Sequence, residues 1–386
     1  MQNNRILEKQ LKEHFSKYKQ ALVLLGARQV GKSTLLKRLF PEANYLLFDL
    51  EEIKKVFESY NFETYKSLLA QNKQVILDEI HLLSDPGRAV KIIYDLSPEL
   101  KIIATGSSSF HIKNKTSESL AGRKIEYHLY PLTFGEYLFQ QGSEKTIQMN
   151  FIEHIKEKYS GVTRTYNVEE ILNQVLSYGL YPELLNIADK KEYLLELSSS
   201  AVFEDIVELN LIENKAKGRD LLKLLAYQIG NLINYEEIAT KLGIDRRTVE
   251  RYIDIFEQSF LLYRLYPYSS NHRKEIGKSP KIYFWDVGLR NAIINNFDNV
   301  TLRTDGGALF ENFIINEIKK EIDYNHMDYN VHYWRLKSGS EVDLILSNNA
   351  DLIGCEIKLN SGNISVAFKN KYPNAHTHVL NSENFY

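Results

Sequence analysis

Gly26-Ala27-Arg28-Gln29-Val30-Gly31-Lys32-Ser33 fits the pattern G-x-x-x-x-G-K-[ST], behind the apolar run Ala21–Leu25 and ahead of the helical Thr34-Leu35-Leu36-Lys37-Arg38-Leu39. Gly26 and Gly31 admit backbone angles that residues with side chains avoid, so successive amides can face one anion. The following helix offers the same anion its unpaired N–H groups and a charge of roughly +0.5. Lys32 adds a cation for β- and γ-phosphates, and Ser33 a hydroxyl for Mg²⁺. Gly26, Ala27, Arg28, Gln29, Val30, Gly31, Lys32, Ser33 and Thr34 are therefore the expected nucleotide-binding residues, with ATP and Mg²⁺ the expected cofactors.

A second run, Val75-Ile76-Leu77-Asp78-Glu79, ends in two carboxylates. Asp78 is expected to hold Mg²⁺ with Ser33, and Glu79 to orient and deprotonate an attacking water. One acid would serve for binding; the adjacent second points to hydrolysis. Thr105-Gly106-Ser107 closes a further strand-like run, with Thr105 the first choice and Ser107 the second for sensing the γ-phosphate or the water. Arg123 is expected to supply transition-state charge, in cis or to a neighbouring subunit, the alternative being a solvated arginine ahead of a strand. The expected catalytic residues are thus Lys32, Glu79, Thr105 and Arg123, and the expected metal ligands Ser33 and Asp78.

Around these motifs, apolar runs at Ala21–Leu25, Tyr45–Leu50, Val75–Ile80 and Lys101–Thr105 alternate with helical patterns, and a fifth run follows at Ile125–Tyr130. That alternation predicts an α/β fold with a parallel sheet and crossover helices, preceded by an amphipathic helix within residues 1–20. The chain has 386 residues, which suggests two or three domains, and a formal net charge of -2. Any polyanion site must then be a local patch. With 44% hydrophobic and 25% charged residues the chain is not largely disordered. A single cysteine, Cys355, excludes an intrachain disulfide and suggests a reducing compartment. No apolar run approaches the ~20 residues of a membrane span, so a cytoplasmic protein without a membrane partner is expected. The ten histidines form no H-E-x-x-H or Cys/His cluster of a zinc site, and His81 reads as a surface residue or one that tunes the acids beside it.

From Gly26 to Glu136 the chain resembles AAA-superfamily ATPases of the archaeal-type branch, and Leu129-Tyr130-Pro131-Leu132-Thr133-Phe134-Gly135-Glu136 is similar to the segment closing that core. The whole chain resembles a family in which this ATPase is fused to a C-terminal domain of unknown function. The segments Ser279–Leu289 and Phe310-Glu311-Asn312-Phe313 carry that second likeness. The expected organisation is a P-loop ATPase domain at 1–140, a helical region at 141–218, a winged helix-turn-helix at 219–290 and a restriction-endonuclease-like domain at 291–386.

The residues of the second half bear separately on those last two expectations. Tyr235–Leu242, Gly243-Ile244-Asp245 and Arg246–Phe260 read as helix, turn and helix, with Leu261–Tyr266 and Lys281–Trp285 as a wing. Between residues 246 and 281 eight Lys/Arg stand against four Asp/Glu, which makes Arg246, Arg247 and Arg251 the candidate nucleic-acid contacts. Further on, Asp343 and Glu356-Ile357-Lys358 lie in strand-like runs behind a helix bearing Glu311, an arrangement like D…E-x-K nucleases. Residues two apart in a strand share a face, so Glu356 and Lys358 would act together, with Asp343 sharing a Mg²⁺. The tripeptide alone has no weight, since it recurs at Glu52–Lys54, Glu213–Lys215 and Glu317–Lys319. Two readings stay open: an ATPase acting on or regulated by DNA, and a nucleotide-gated signalling protein that contacts proteins or itself through a silent nuclease-like domain.

Overall fold

The computed structural model describes residues 5–69, 72–106, 120–142, 152, 155, 168–201, 212–269 and 279–385. The chain divides into two compact units. One comprises Met1–Leu132, Phe139–Ser143 and Gln258–Phe260; the other comprises Thr133–Leu138, Glu144–Glu257 and Leu261–Tyr386.

The first unit is built on a parallel sheet in the order β2-β3-β4-β1-β5, formed by β1 (Ala21–Leu25), β2 (Asn44–Leu47), β3 (Gln74–Asp78), β4 (Lys101–Gly106) and β5 (Lys124–His128). All five residues of β1 are buried, as a strand covered on both faces requires, which is why it reads as an unbroken apolar run. The helices α1 (Glu8–Lys17), α2 (Lys32–Leu39), α3 (Glu51–Glu58), α4 (Phe62–Leu69) and α5 (Pro86–Leu96) belong to this unit. β2 stops at Leu47, short of the expected Leu50, because the chain turns there into α3; Phe48 N–H still donates to the Asp78 carbonyl. β4 lies between β1 and β3. The carboxyl ends of these three strands carry the glycine loop, Thr105 and Asp78, so the topology brings the separated motifs to one edge, where open α/β sheets place ligands.

The second unit contains the helices Tyr235–Leu242 and Arg246–Gln258 expected for a helix-turn-helix, divided by Gly243 in the left-handed region at φ 61. The antiparallel pair β6 (Leu262–Leu265) and β7 (Lys281–Phe284) follows, but every residue of β7 is buried. Then come helix Gly306–Tyr324 and the strands β8 (Asn330–Arg335), β9 (Glu341–Ser347), β10 (Leu352–Ile357) and β11 (His376–Leu380), in the sheet order β11-β10-β9-β8. β8, β9 and β10 run antiparallel, and β11 returns parallel to β10 after helix Val366–Lys371. Trp334, Val342, Ile345, Ile364 and Phe368 form a hydrophobic core here.

In or beside the segments Ser279–Leu289 and Phe310–Phe313, four residues hold the fold together. Buried Asp286 accepts from the Leu289 N–H of its own helix (2.8 Å) and from Leu180 N–H (2.7 Å). Gly288 packs so closely that a Cβ there would stand 1.9 Å from the Tyr178 carbonyl oxygen. Asn291 donates to the Leu176 and Ser177 carbonyls, while Asn312 pairs with both the N–H and the carbonyl of Phe284. Each side chain satisfies backbone groups that burial would otherwise leave unpaired. Among the described residues no helix is long and apolar enough to cross a membrane.

Candidate nucleotide site and carboxylate cluster

The loop between β1 and α2 is set by two glycines for different reasons. A Cβ on Gly26 would lie 2.1 Å from the Leu129 carbonyl oxygen, so only glycine fits against the neighbouring segment. Gly31 has open space around it but takes φ 92, which disfavours any side chain. Buried Arg5 fixes the loop from outside, donating from Nη1 to the Val30 carbonyl (3.0 Å) and from Nη2 to the Tyr130 carbonyl (2.6 Å). Lys32 is buried, and its ammonium donates to the Gly26 and Ala27 carbonyls, each at 2.9 Å. Ala27 and Val30 are buried, whereas Arg28, Gln29 and Thr34 are exposed on the loop and the first turn of α2.

Asp78, 1% exposed, is the centre of the site. Its Oδ2 accepts from Ser33 Oγ at 2.6 Å and from the Tyr45 hydroxyl, and its Oδ1 accepts from Thr105 Oγ1. Thr105 in turn accepts from the Glu79 N–H at 3.2 Å, tying the two acids to β4. Glu79 itself takes a left-handed backbone conformation at φ 57, a sparsely populated region for a residue with a side chain. Its carboxylate lies 3.1 Å from His81 Nδ1. Burial pushes Glu79 up, but the His81 contact and the charge of Lys32 outweigh it and hold the group down at about 2. Burial, and the bond to Asp78, push the Tyr45 hydroxyl well above its ordinary range, so it remains a proton donor.

Ser33, Lys32, Asp78, Glu79 and Thr105 are therefore brought together, and Ser107 lies outside the described residues. Arg123 is not brought to them, which corrects its expected role in cis. It precedes β5, where Ala21 pairs with Lys124 and Ala21 N–H donates to the Arg123 carbonyl; the glycine loop follows the opposite end of β1. Its guanidinium is held by Asp95, with Nε to Oδ1 at 2.8 Å. Of the two readings of His81 the surface one is corrected, since the residue is buried and stands beside Glu79, whereas Tyr45 was missed. The tyrosine is one of 25 and lies in a run that reads only as strand.

In the second unit, β9 and β10 pair Leu344 with Cys355, which sets Asp343 beside Glu356 on adjacent strands. Lys358 Nζ reaches both acids, at 2.8 Å from Asp343 and 2.7 Å from Glu356. Asp343 also accepts from the Ile357 N–H at 2.9 Å. Glu311 is turned to a different partner: Lys281 Nζ lies 3.2 Å away and the Tyr283 hydroxyl donates to the same oxygen. Lys281, 2% exposed, also pairs with Glu341. Burial drives Glu311 up to about 7, with nearby Asp343 adding to the rise against the pull of Lys281. Glu356 is raised by burial and by Asp343 as well. Two lysines thus bridge four carboxylates, Lys281 between Glu311 and Glu341 and Lys358 between Asp343 and Glu356. Among the described residues no group of three or more His, Cys, Asp or Glu is arranged to hold a metal ion.

On the helix-turn-helix, Arg246 pairs with Glu236 (3.1 Å) and Glu250 (2.8 Å), and Arg251 with Glu213 (3.0 Å), while Arg247 is exposed.

Residues 18–138 match the family described as an AAA domain. Residues 169–300 and 306–382 match two domains of unknown function, DUF8612 and DUF4143. The uncharacterized protein MJ1637 of Methanocaldococcus jannaschii is 29% identical over 334 residues, covering 79% of this chain and 70% of its own length. An uncharacterized protein of Haemophilus influenzae is 26% identical over 361 residues, covering 87% of this chain and 81% of its own. A solved structure described as the Walker-type ATPase PABY2304 of Pyrococcus abyssi aligns over 74% of this chain and 94% of that one, at 17% identity and a TM-score of 0.48. The AAA-domain match spans the parallel sheet with its glycine loop and supports nucleotide binding and hydrolysis as the work of that segment.

Proposed function

We propose that the chain is a Mg²⁺-dependent ATPase whose second unit is a nucleotide-gated interaction module. One observation carries the first part: the hydroxyls of Ser33 and Thr105 converge on buried Asp78, between the lysine of the glycine loop and Glu79. An all-oxygen set of hydroxyl and carboxylate beside a phosphate loop suits a hard cation such as Mg²⁺. Ser33 and Asp78 would hold that ion, which when bound would offset charge on the β- and γ-phosphates. The loop amides and α2 bind the phosphate chain, and Lys32, now on two loop carbonyls, transfers its ammonium to phosphate oxygens. Glu79, ionised at neutral pH, orients the attacking water and accepts its proton. Thr105 keeps the two acids in register.

The second part is supported by charge compensation. Lys281 and Lys358 each bridge two acids of the D…E-x-K cluster, and Glu residues pair with Arg246 and Arg251, which supports a salt-bridged platform in preference to a nuclease centre or a basic DNA face. On this reading the cluster stabilises a platform that contacts a protein or a second copy of the chain.

Two measurements test the proposal. Calorimetric titration with ATP and Mg²⁺ is expected to show binding that Lys32→Ala weakens about 10- to 100-fold, the range for hydrogen bonds onto charged groups. Unchanged affinity in that variant, or none in the wild type, would sink the ATP reading. Incubation with Mg²⁺ and single- or double-stranded DNA is expected to give no cleavage. Cleavage that disappears with Asp343→Ala or Lys358→Ala would restore the nuclease.

A further inference from the structure

We propose that Tyr45 is a positioning residue for Asp78 in magnesium–nucleotide binding, an assignment that rests on the ATP reading above. Asp78 is almost wholly buried, and the groups that satisfy it are three neutral hydroxyls, those of Ser33, Tyr45 and Thr105. A carboxylate withdrawn from water needs such donors to satisfy its oxygens and to hold one orientation.

The three donors are not equivalent. Thr105 holds Oδ1, while Ser33 and Tyr45 share Oδ2. Ser33, in the first turn of α2, can give a lone pair to a cation while its O–H stays on Oδ2, so its position is shared between two tasks. Tyr45 is the donor on Oδ2 that has no ligand role of its own. Its placement follows from register: Leu47 of β2 pairs with Asp78 of β3, and Tyr45, two residues earlier, points to the same side of the strand. The long phenol spans the diagonal to the carboxylate. Its ring is seated by the ammonium of Lys37, 3.8 Å from the ring centroid, and Lys37 belongs to the helix that begins with Lys32 and Ser33. Tyr45 therefore ties the phosphate-loop helix to the metal-binding acid, much as outer partners orient the ligands of a metal site.

The test is a fluorescence titration of the full chain with an ATP analogue carrying a ribose fluorophore, performed across a range of MgCl₂ and separately in EDTA. Tyr45→Phe, which removes only the hydroxyl, is expected to raise the Mg²⁺ concentration for half-maximal binding by about tenfold, the lower end of outer-partner effects. Affinity in EDTA should match the wild type. Lys37→Met keeps the hydroxyl but unseats the ring, and should move the Mg²⁺ midpoint in the same direction by a smaller factor. An unchanged midpoint in Tyr45→Phe overturns the assignment. So does an equal loss in EDTA, which would mark a purely structural role. If Tyr45→Phe fails to fold, an unmoved midpoint in Lys37→Met decides against the assignment. A wild type that binds no nucleotide in either buffer overturns the ATP reading itself, a result distinct from these.

Discussion

Glu79→Gln is expected to lower ATP turnover by 10²- to 10⁴-fold while nucleotide affinity is retained, a range of about that size being ordinary for loss of a positioned acid–base group. The substitution keeps the length of the side chain and the backbone N–H that donates to Thr105. What it removes is the anion, which here is ionised throughout the neutral range because the contact with His81 and the charge of Lys32 overcome burial. Loss of that negative neighbour removes one competitor for the ammonium of Lys32, so affinity for the phosphates should hold or tighten. Single-turnover phosphate release alongside equilibrium nucleotide binding separates the two effects. If release stays within a few-fold of the wild type, the proton acceptor lies elsewhere and the assignment of Glu79 fails. If affinity collapses together with turnover, Glu79 is a structural member of the loop and not part of the chemistry.

Much of this site was legible because its parts are strand-terminal and local. A strand, a glycine loop and a helix are contiguous in residues 21–39, and the acids of Val75–Glu79 end their own apolar run. That they meet depends on the strand order, which places β4 between β1 and β3 and so hands Thr105 to Asp78. Arg123 shows the opposite case. In a parallel sheet a residue ahead of a strand lies at the amino edge, away from a loop that follows β1, so direction alone argued against a role in cis. Tyr45 was hidden for another reason: its function lies in a cross-strand diagonal and a ring contact with Lys37, neither of which leaves a spacing. In the second unit the Asp343, Glu356 and Lys358 grouping was readable from strand alternation. Lys281 was not, since it read as part of a wing, whereas β7 is buried and delivers a cation into the acids.

That buried cation gives the largest expected stability effect. Lys281→Ala should destabilise the protein by about 3–5 kcal/mol, the usual consequence of removing one partner from a buried ion pair. Glu311 loses its lysine partner, while Glu341 keeps the guanidinium of Arg335 at 3.0 Å. The loss should depend on pH, and its sign follows from Glu311. Burial raises that carboxyl from 4.5 to about 7 in the folded chain, so between these values the folded state holds a proton that the unfolded state has released. Stability contributed by this group therefore falls as pH rises from about 4.5 through about 7. Without Lys281 the buried anion is costlier still, so urea denaturation of Lys281→Ala should show a larger deficit at pH 8 than at pH 5. The double variant Lys281→Met with Glu311→Gln should recover much of the loss, because matched removal of both charges avoids the orphaned ion. A deficit below about 1 kcal/mol, the size of a surface pair, would show that Lys281 reaches solvent and leaves the acids open. The cluster would then be uncompensated, and a divalent cation rather than lysine would be the partner its carboxylates call for.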